Sequence, residues 1–220
     1  MAAQPLDFYF DFASPYGYFA AMAIDELAAR HGRAVAWHPI LLGAVFKSAG
    51  VTATVLRPLQ GDYLRHDVVR SARYYGLPLT WPEVMPINAV ASSRAYYWTA
   101  ARDVDLARSL AKALYRAHWQ EGRDISGVDA VAEVATGIGM DADDLKAGMQ
   151  EPAVKDALRA ATDAAMARGV FGSPFIFVDG EGFWGARPGA GGTLAGAGRL
   201  VMNATTPRPV PPGGGASVPW

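Results

Sequence analysis

The sequence predicts an α/β fold: a β-α-β unit at the start, a long all-helical stretch, and a β-hairpin that closes the ordered part. Three observations predict it. Residues 6–12 alternate Leu6, Phe8, Phe10 and Phe12 against Asp7, Tyr9 and Asp11, the period of two that marks a strand. The Ala-rich run from Pro15 to Arg30 is followed by a second strand-like run at 34–40. Far downstream, residues 175–179 and 181–185 flank Asp179-Gly180, a strong hairpin signal.

The elements follow in order. Helix 15–30 places Phe19, Ala23 and Leu27 on one face and is closed by His31-Gly32. The strand at 34–40 is cut by Pro39, and the spacing of the β-α-β unit makes its two strands parallel. Residues 41–57 read as irregular or short-helical, and 58–75 as a helix stopped by Gly76. Pro78, Pro82 and Pro86 make 77–86 a loop, and Asn88 is placed to cap a helix over 89–102. Further helices fit 104–121, 127–138, 141–149 and 152–168, the last ending at Gly169. In the 35 positions 186–220, 8 Gly and 6 Pro occur without periodicity, which predicts an extended, poorly packed tail.

Composition excludes several functions. The chain of 220 residues has formal net charge −1 and no run of like charge, so no face is built for a polyanion such as nucleic acid. Cysteine is absent, which removes disulfides, thiolate metal sites and any thiol nucleophile of the protein's own. The four histidines are scattered without metal-ligand spacing, and no glycine loop of the phosphate-cradling kind precedes a helix. The N-terminus lacks the pattern of a signal peptide. No apolar run reaches the ~20 residues that a membrane span needs. The expectation is a soluble cytoplasmic protein with no metal and no membrane partner.

Four places could carry chemistry. Ser14 stands between the first strand and the first helix, with Pro15 at the first helical position. The simplest reading is an N-cap. The same geometry lets its hydroxyl, beside free N–H groups and the positive end of the helix dipole, stabilise an anion such as a thiolate. Ser173-Pro174 leads into a strand. A cis X–Pro bond is a minority form, about 5–6% of cases, so this motif alone is weak. Opposite a strand–Ser–helix junction, the pair points to a thioredoxin-like site without its own thiol, and a cis Pro174 would expose the backbone of Ser173 to a peptide-like thiol. Lys47 sits in an apolar stretch and reads equally as a solvated lysine or as a cation for an organic carboxylate. Asn88 is most simply a cap.

These motifs, F-Y-F-D-F-A-S-P-Y-G-Y (8–18), W-H-P-I-L-L-G-A-V-F-K (37–47), P-I-N (86–88), G-V-F-G-S-P-F-I-F-V (169–178) and F-W-G (183–185), resemble in this order those of the 2-hydroxychromene-2-carboxylate isomerase family. That family is similar to kappa-class glutathione transferases and to thioredoxin-fold oxidoreductases with a helical insert. The resemblance implies a thioredoxin-like domain from 5–42 and 150–185 around a helical insert at 43–149, with 186–220 as a disordered or altered tail. It implies glutathione as a recycled cofactor, a small aromatic carboxylate as substrate, and a homodimer. Ser14 would hold the glutathione sulfur as thiolate. Ser173, Pro174, Trp184 and Gly185 would bind the rest of glutathione. Lys47 and Asn88 would hold the substrate. A kappa-like transferase, or a catalytically impaired glutathione-binding relative, is the alternative.

The pattern is lost after Trp184-Gly185. The family continues with an acid and an Arg that open a final amphipathic helix, whereas this chain reads Ala186-Arg187-Pro188-Gly189 and carries no acid after Glu181. The expectation is an altered reading of the ancestral C-terminus, without the acid that would meet the glutathione amine and with one sheet face left partly bare.

Overall fold

The computed structural model describes residues 4–185. The expectations for the tail, and for the face it would leave bare, lie outside the described residues. Strand β1 (Leu6–Phe10) is followed by α1 (Pro15–Ala29) and β2 (Val35–Pro39). Seven helices come next: α2 (Leu42–Ser48), α3 (Gln60–Tyr75), α4 (Val90–Ala100), α5 (Val104–Trp119), α6 (Val128–Thr136), α7 (Ala142–Gly148) and α8 (Pro152–Ala167). Strands β3 (Phe175–Val178) and β4 (Glu181–Trp184) complete a mixed sheet in the order β2-β1-β3-β4. β1 runs parallel to β2 with Phe8 opposite Trp37, and antiparallel to β3 with Phe8 opposite Ile176.

The sheet buries both faces. On one, Leu6, Phe8, Phe10, Trp37, Ile176 and Val178 pack in a core shared with α1 and with helices α4 to α7. Phe8, Phe10 and Trp37 meet edge to face or stacked at 5.0–5.3 Å, the arrangement their ring quadrupoles favour. On the other, Tyr9, Phe175 and Phe177 pack with Val45 of α2 and Ala165 of α8. Central strand β1 is therefore covered on both sides, and on the second face Asp7, beside Tyr9, pairs with Arg168 and His38.

Local chemistry explains most boundaries. Asp179 and Gly180 have φ of 50° and 86°, the two positive values a type I′ turn requires. The guanidinium of Arg33 grips the Asp179 carboxylate with two bonds of 2.9 and 2.7 Å. Pro39 is tolerated in β2 because that strand lies at the sheet edge. The outward carbonyls of β2 are taken by side chains: Arg108 donates to Val35 O, Tyr96 to Trp37 O and Tyr97 to Pro39 O, at 2.7, 3.2 and 2.9 Å.

On α1, Phe19 is fully buried together with Tyr18, Ala20, Ala21, Ile24 and Ala28, and Ala23 and Leu27 pack half-buried against the same core. Some expectations are corrected. β1 ends at Phe10 rather than 12, since Asp11 turns the chain and its carbonyl accepts the Ser14 N–H at 2.9 Å. α4 begins at Val90. Asn88 accepts the Val90 N–H at 3.1 Å, an i→i+2 side-chain turn one residue ahead of the N-cap, Ala89.

Asp11 braces the end of β1. Its Oδ1 accepts the Ala13 N–H at 2.8 Å and its Oδ2 accepts the Leu42 N–H at 2.7 Å, capping an α2 that has no side-chain cap of its own. From the helical insert, the Tyr115 hydroxyl donates to Asp11 O and the Trp119 indole to Phe12 O, both at 3.0 Å. Burial pushes the Asp11 carboxyl up to about 6, against the two N–H donors that favour its charge.

Two expected outcomes follow from this packing. A Cβ on Gly148 would stand 1.9 Å from the Trp98 indole nitrogen. Gly148→Ala should therefore cost about 1–3 kcal/mol of stability by forcing α7 away from α4, read by urea denaturation. The Asp11 carboxyl ionises at an ordinary 3.8 when unfolded and near 6 when folded. The folded state thus binds more proton between those values, and stability falls as pH rises through that window. Compared with Asp11→Asn, the wild type should lose on the order of 2–3 kcal/mol between about pH 4 and above pH 6, measured by paired denaturation at a series of pH values.

Candidate functional site

The site is built at the C-terminal end of β1. There the chain leaves the sheet, turns at Asp11 and enters α1 with a Pro at its start. Ser14 is the N-cap, extended at φ −94° and ψ 116°, and its Oγ accepts the Gly17 N–H at 3.0 Å. That satisfies one of the orphan donors of the first turn. The capping expectation holds. The same hydroxyl also donates its proton to Ser173 O at 2.8 Å, across a separation of 159 residues.

Ser173 lies in the turn between α8 and β3, and its bond to Pro174 is cis. Its Oγ accepts the Asp11 N–H at 3.0 Å. Ser14 and Ser173 are 5% and 8% exposed. The backbone N–H of Ser173 has no hydrogen-bond partner among the described residues. A buried serine thus offers an open donor next to a carbonyl that already has one.

Gly17 makes this approach possible. A Cβ there would lie 2.6 Å from the Tyr115 hydroxyl, 2.9 Å from Ser173 Oγ and 3.2 Å from Ser14 Cβ. Tyr115 is fully buried, and burial together with the neighbouring Asp11 raises its phenol well above the ordinary value, so it remains a donor. In the same first turn, Tyr16 donates to Asp67 of α3, which ties the outer side of the α1 N-terminus to the insert. Burial and the Asp67 carboxylate push its phenol up as well.

The hairpin continues the same chain of contacts. Gly185 N–H donates to Pro174 O at 2.9 Å. The Trp184 indole lies on Gly172, where a Cβ would come within 2.2 Å of its nitrogen. Phe171 stands 5.0 Å from the Trp184 ring, and both rings are more than half exposed. Ser14, Ser173, Pro174, Trp184 and Gly185 are therefore brought together. Lys47 and Asn88 are not joined to them. Lys47 is exposed in the last turn of α2, Asn88 is exposed ahead of α4 beside Ser126, and neither bonds to Ser14 or Ser173.

Sequence reasoning missed Asp11, Gly17, Tyr115 and Gly172. The Asp-x-x-Ser spacing is the local signal that could have found Asp11 as a turn-forming residue. Tyr115 had none, because it reaches the site from 104 residues away. Two clefts, of about 400 and 430 Å³, lie elsewhere: one beside Arg33, Arg108 and Lys112, the other beside Val69, Leu77 and Pro78. Ser14 lines neither of them.

Comparison with known proteins fits this geometry. The DSBA-like thioredoxin domain family matches residues 5–190. The chain is 33% identical over 184 residues to 2-hydroxychromene-2-carboxylate isomerase of Sphingobium xenophagum, covering 83% of this chain and 92% of that one. It is 28% identical to glutathione S-transferase kappa 2 of Caenorhabditis elegans, covering 80% and 81%. The solved structure of a 2-hydroxychromene-2-carboxylate isomerase superposes with a TM-score of 0.75 at 28% identity, over 91% of this chain and 92% of that one. The chain belongs to the DSBA-like thioredoxin domain family, in the group of the 2-hydroxychromene-2-carboxylate isomerases and their kappa-class glutathione transferase relatives.

Proposed function

We propose that this protein is a glutathione-dependent cis–trans isomerase of a conjugated aromatic pyruvate, of the kind met in the breakdown of aromatic compounds. The observation that carries the reading is the meeting of Ser14 with Ser173 at the start of α1, in a chain without cysteine. The protein has a helix N-terminus suited to a thiolate and no thiol to put there. The site fits a peptide thiol, because the buried Ser173 presents a backbone donor without a partner among the described residues.

When bound, glutathione supplies a thiolate whose reversible addition to the conjugated carbon makes the double bond single and free to rotate, and which is recovered when the alkene reforms. The chain's own residues perform the rest. Ser14 donates a hydrogen bond that favours the ionised sulfur, and the first-turn dipole of α1 acts in the same direction. Ser173, Pro174, Trp184 and Gly185 frame the peptide. Lys47 and Asn88 hold the substrate carboxylate and its neighbouring oxygen, where negative charge develops. Lys47 is exposed on α2, so a long flexible side chain can reach a ligand that stands over the helix.

The kappa-class relative supports a second reading, in which the same thiolate is added to an electrophile and stays on it. Whether glutathione is consumed during turnover separates the two.

A spectrophotometric isomerisation assay tests the proposal. Activity should require glutathione, leave its concentration unchanged, and fall roughly 10- to 100-fold in Ser14→Ala, the weight of one hydrogen bond to a charged group. Equal rates with and without glutathione would retire it.

A further inference from the structure

A serine hydroxyl has one proton to give. In this structure the Ser14 proton is committed to Ser173 O at 2.8 Å, and its oxygen already accepts the Gly17 N–H at 3.0 Å. As it stands, Ser14 has no donor left for a sulfur. Turning the O–H away would strip a carbonyl on a residue only 8% exposed of its donor, and an unmet buried acceptor is costly. Tyr115 and Ser173 crowd the Gly17 side so closely that even a methyl group there would come within 2.6–2.9 Å of their oxygens, so Ser14 has little freedom to shift as a whole.

We propose that the Ser14–Ser173 hydrogen bond is a latch that a peptide backbone opens, so that only a thiol carried on such a backbone meets a free Ser14 hydroxyl. The inference rests on the glutathione reading and specifies how the site selects its thiol. Ser173 offers a backbone N–H without a partner among the described residues, next to the carbonyl that Ser14 occupies. A cysteinyl residue lying antiparallel to it exchanges two hydrogen bonds: its C=O accepts the Ser173 N–H, and its own N–H donates to Ser173 O. The carbonyl then has a new donor, and the Ser14 O–H turns to the sulfur with a rotation that moves only a hydrogen. The thiol proton leaves to solvent, and no protein group is required to take it. A thiol without an adjacent N–H finds the hydroxyl still engaged, so the site ionises peptide thiols and leaves simple ones protonated.

The latch makes a prediction that an ordinary supporting role for Ser14 does not. γ-Glutamyl-alanyl-glycine, which is glutathione without its sulfur, competes with the Ser14 hydroxyl for Ser173 O in the wild type and gains no thiolate bond in return. In Ser14→Ala, and in Ser14→Gly, which keeps a good helix start, Ser173 O is already free. Isothermal titration should show the sulfur-free tripeptide binding both variants about three- to tenfold tighter than the wild type, the scale of one modest hydrogen bond. Glutathione itself should release close to one proton on binding the wild type near neutral pH, measured in buffers of different ionisation enthalpy, and clearly less on binding either variant. If the sulfur-free tripeptide binds the variants no better than the wild type while glutathione still binds with proton release, the latch is wrong and the glutathione reading stands. If neither tripeptide binds the wild type, both fall together.

Discussion

Everything at this site hangs from the turn at the end of β1. Asp11 uses its N–H, its C=O and both carboxylate oxygens there, and the partners come from the turn before α1, from α2, from α5 and from the Ser173 turn. A carboxylate suits the position because both of its oxygens face N–H donors, and an amide would set a donor against one of them. Holding a charge out of water has a cost, visible in the raised ionisation of Asp11. The benefit is geometric: Ser14, Ser173 and the head of α2 are fixed in one rigid joint.

That joint ties the helical insert to the site. Tyr115 and Trp119 sit on α5, yet their polar atoms end on the carbonyls of Asp11 and Phe12. The Tyr115 ring fills the core against Phe10 and Phe12, and the Trp119 ring meets Trp81 edge to face. The insert is thus part of the scaffold that sets the height of the α1 N-terminus above the sheet.

Much of this was readable from the chain, for physical reasons that differ by element. The β1 strand, the α1 cap and the 179–180 turn depend on neighbours within a few residues, so their chemistry is written locally in Leu6–Phe10, Ser14-Pro15 and Asp179-Gly180. Proline cut the β2 reading short but did not break the strand, because an edge position needs no donor on its outer side. The bond from Ser14 to Ser173 could be guessed as proximity and not as a committed proton. The grip of Tyr115 on Asp11 could not be guessed, because no local period encodes a contact made across the whole insert. Lys47 and Asn88 were legible as residues near apolar or capping positions, and the structure leaves both exposed and apart from the serines.

The outer edge of β2 adds one more consequence. Val35, Trp37 and Pro39 would present a row of carbonyls to the outside, and Arg108, Tyr96 and Tyr97 cover all three. An edge plugged by side chains and interrupted by a proline gives a foreign strand nothing continuous to zip onto. Chains of this protein crowded together are therefore guarded along that border against the sheet-to-sheet stacking that seeds fibrils, and any extended peptide that approaches must dock somewhere other than beside β2.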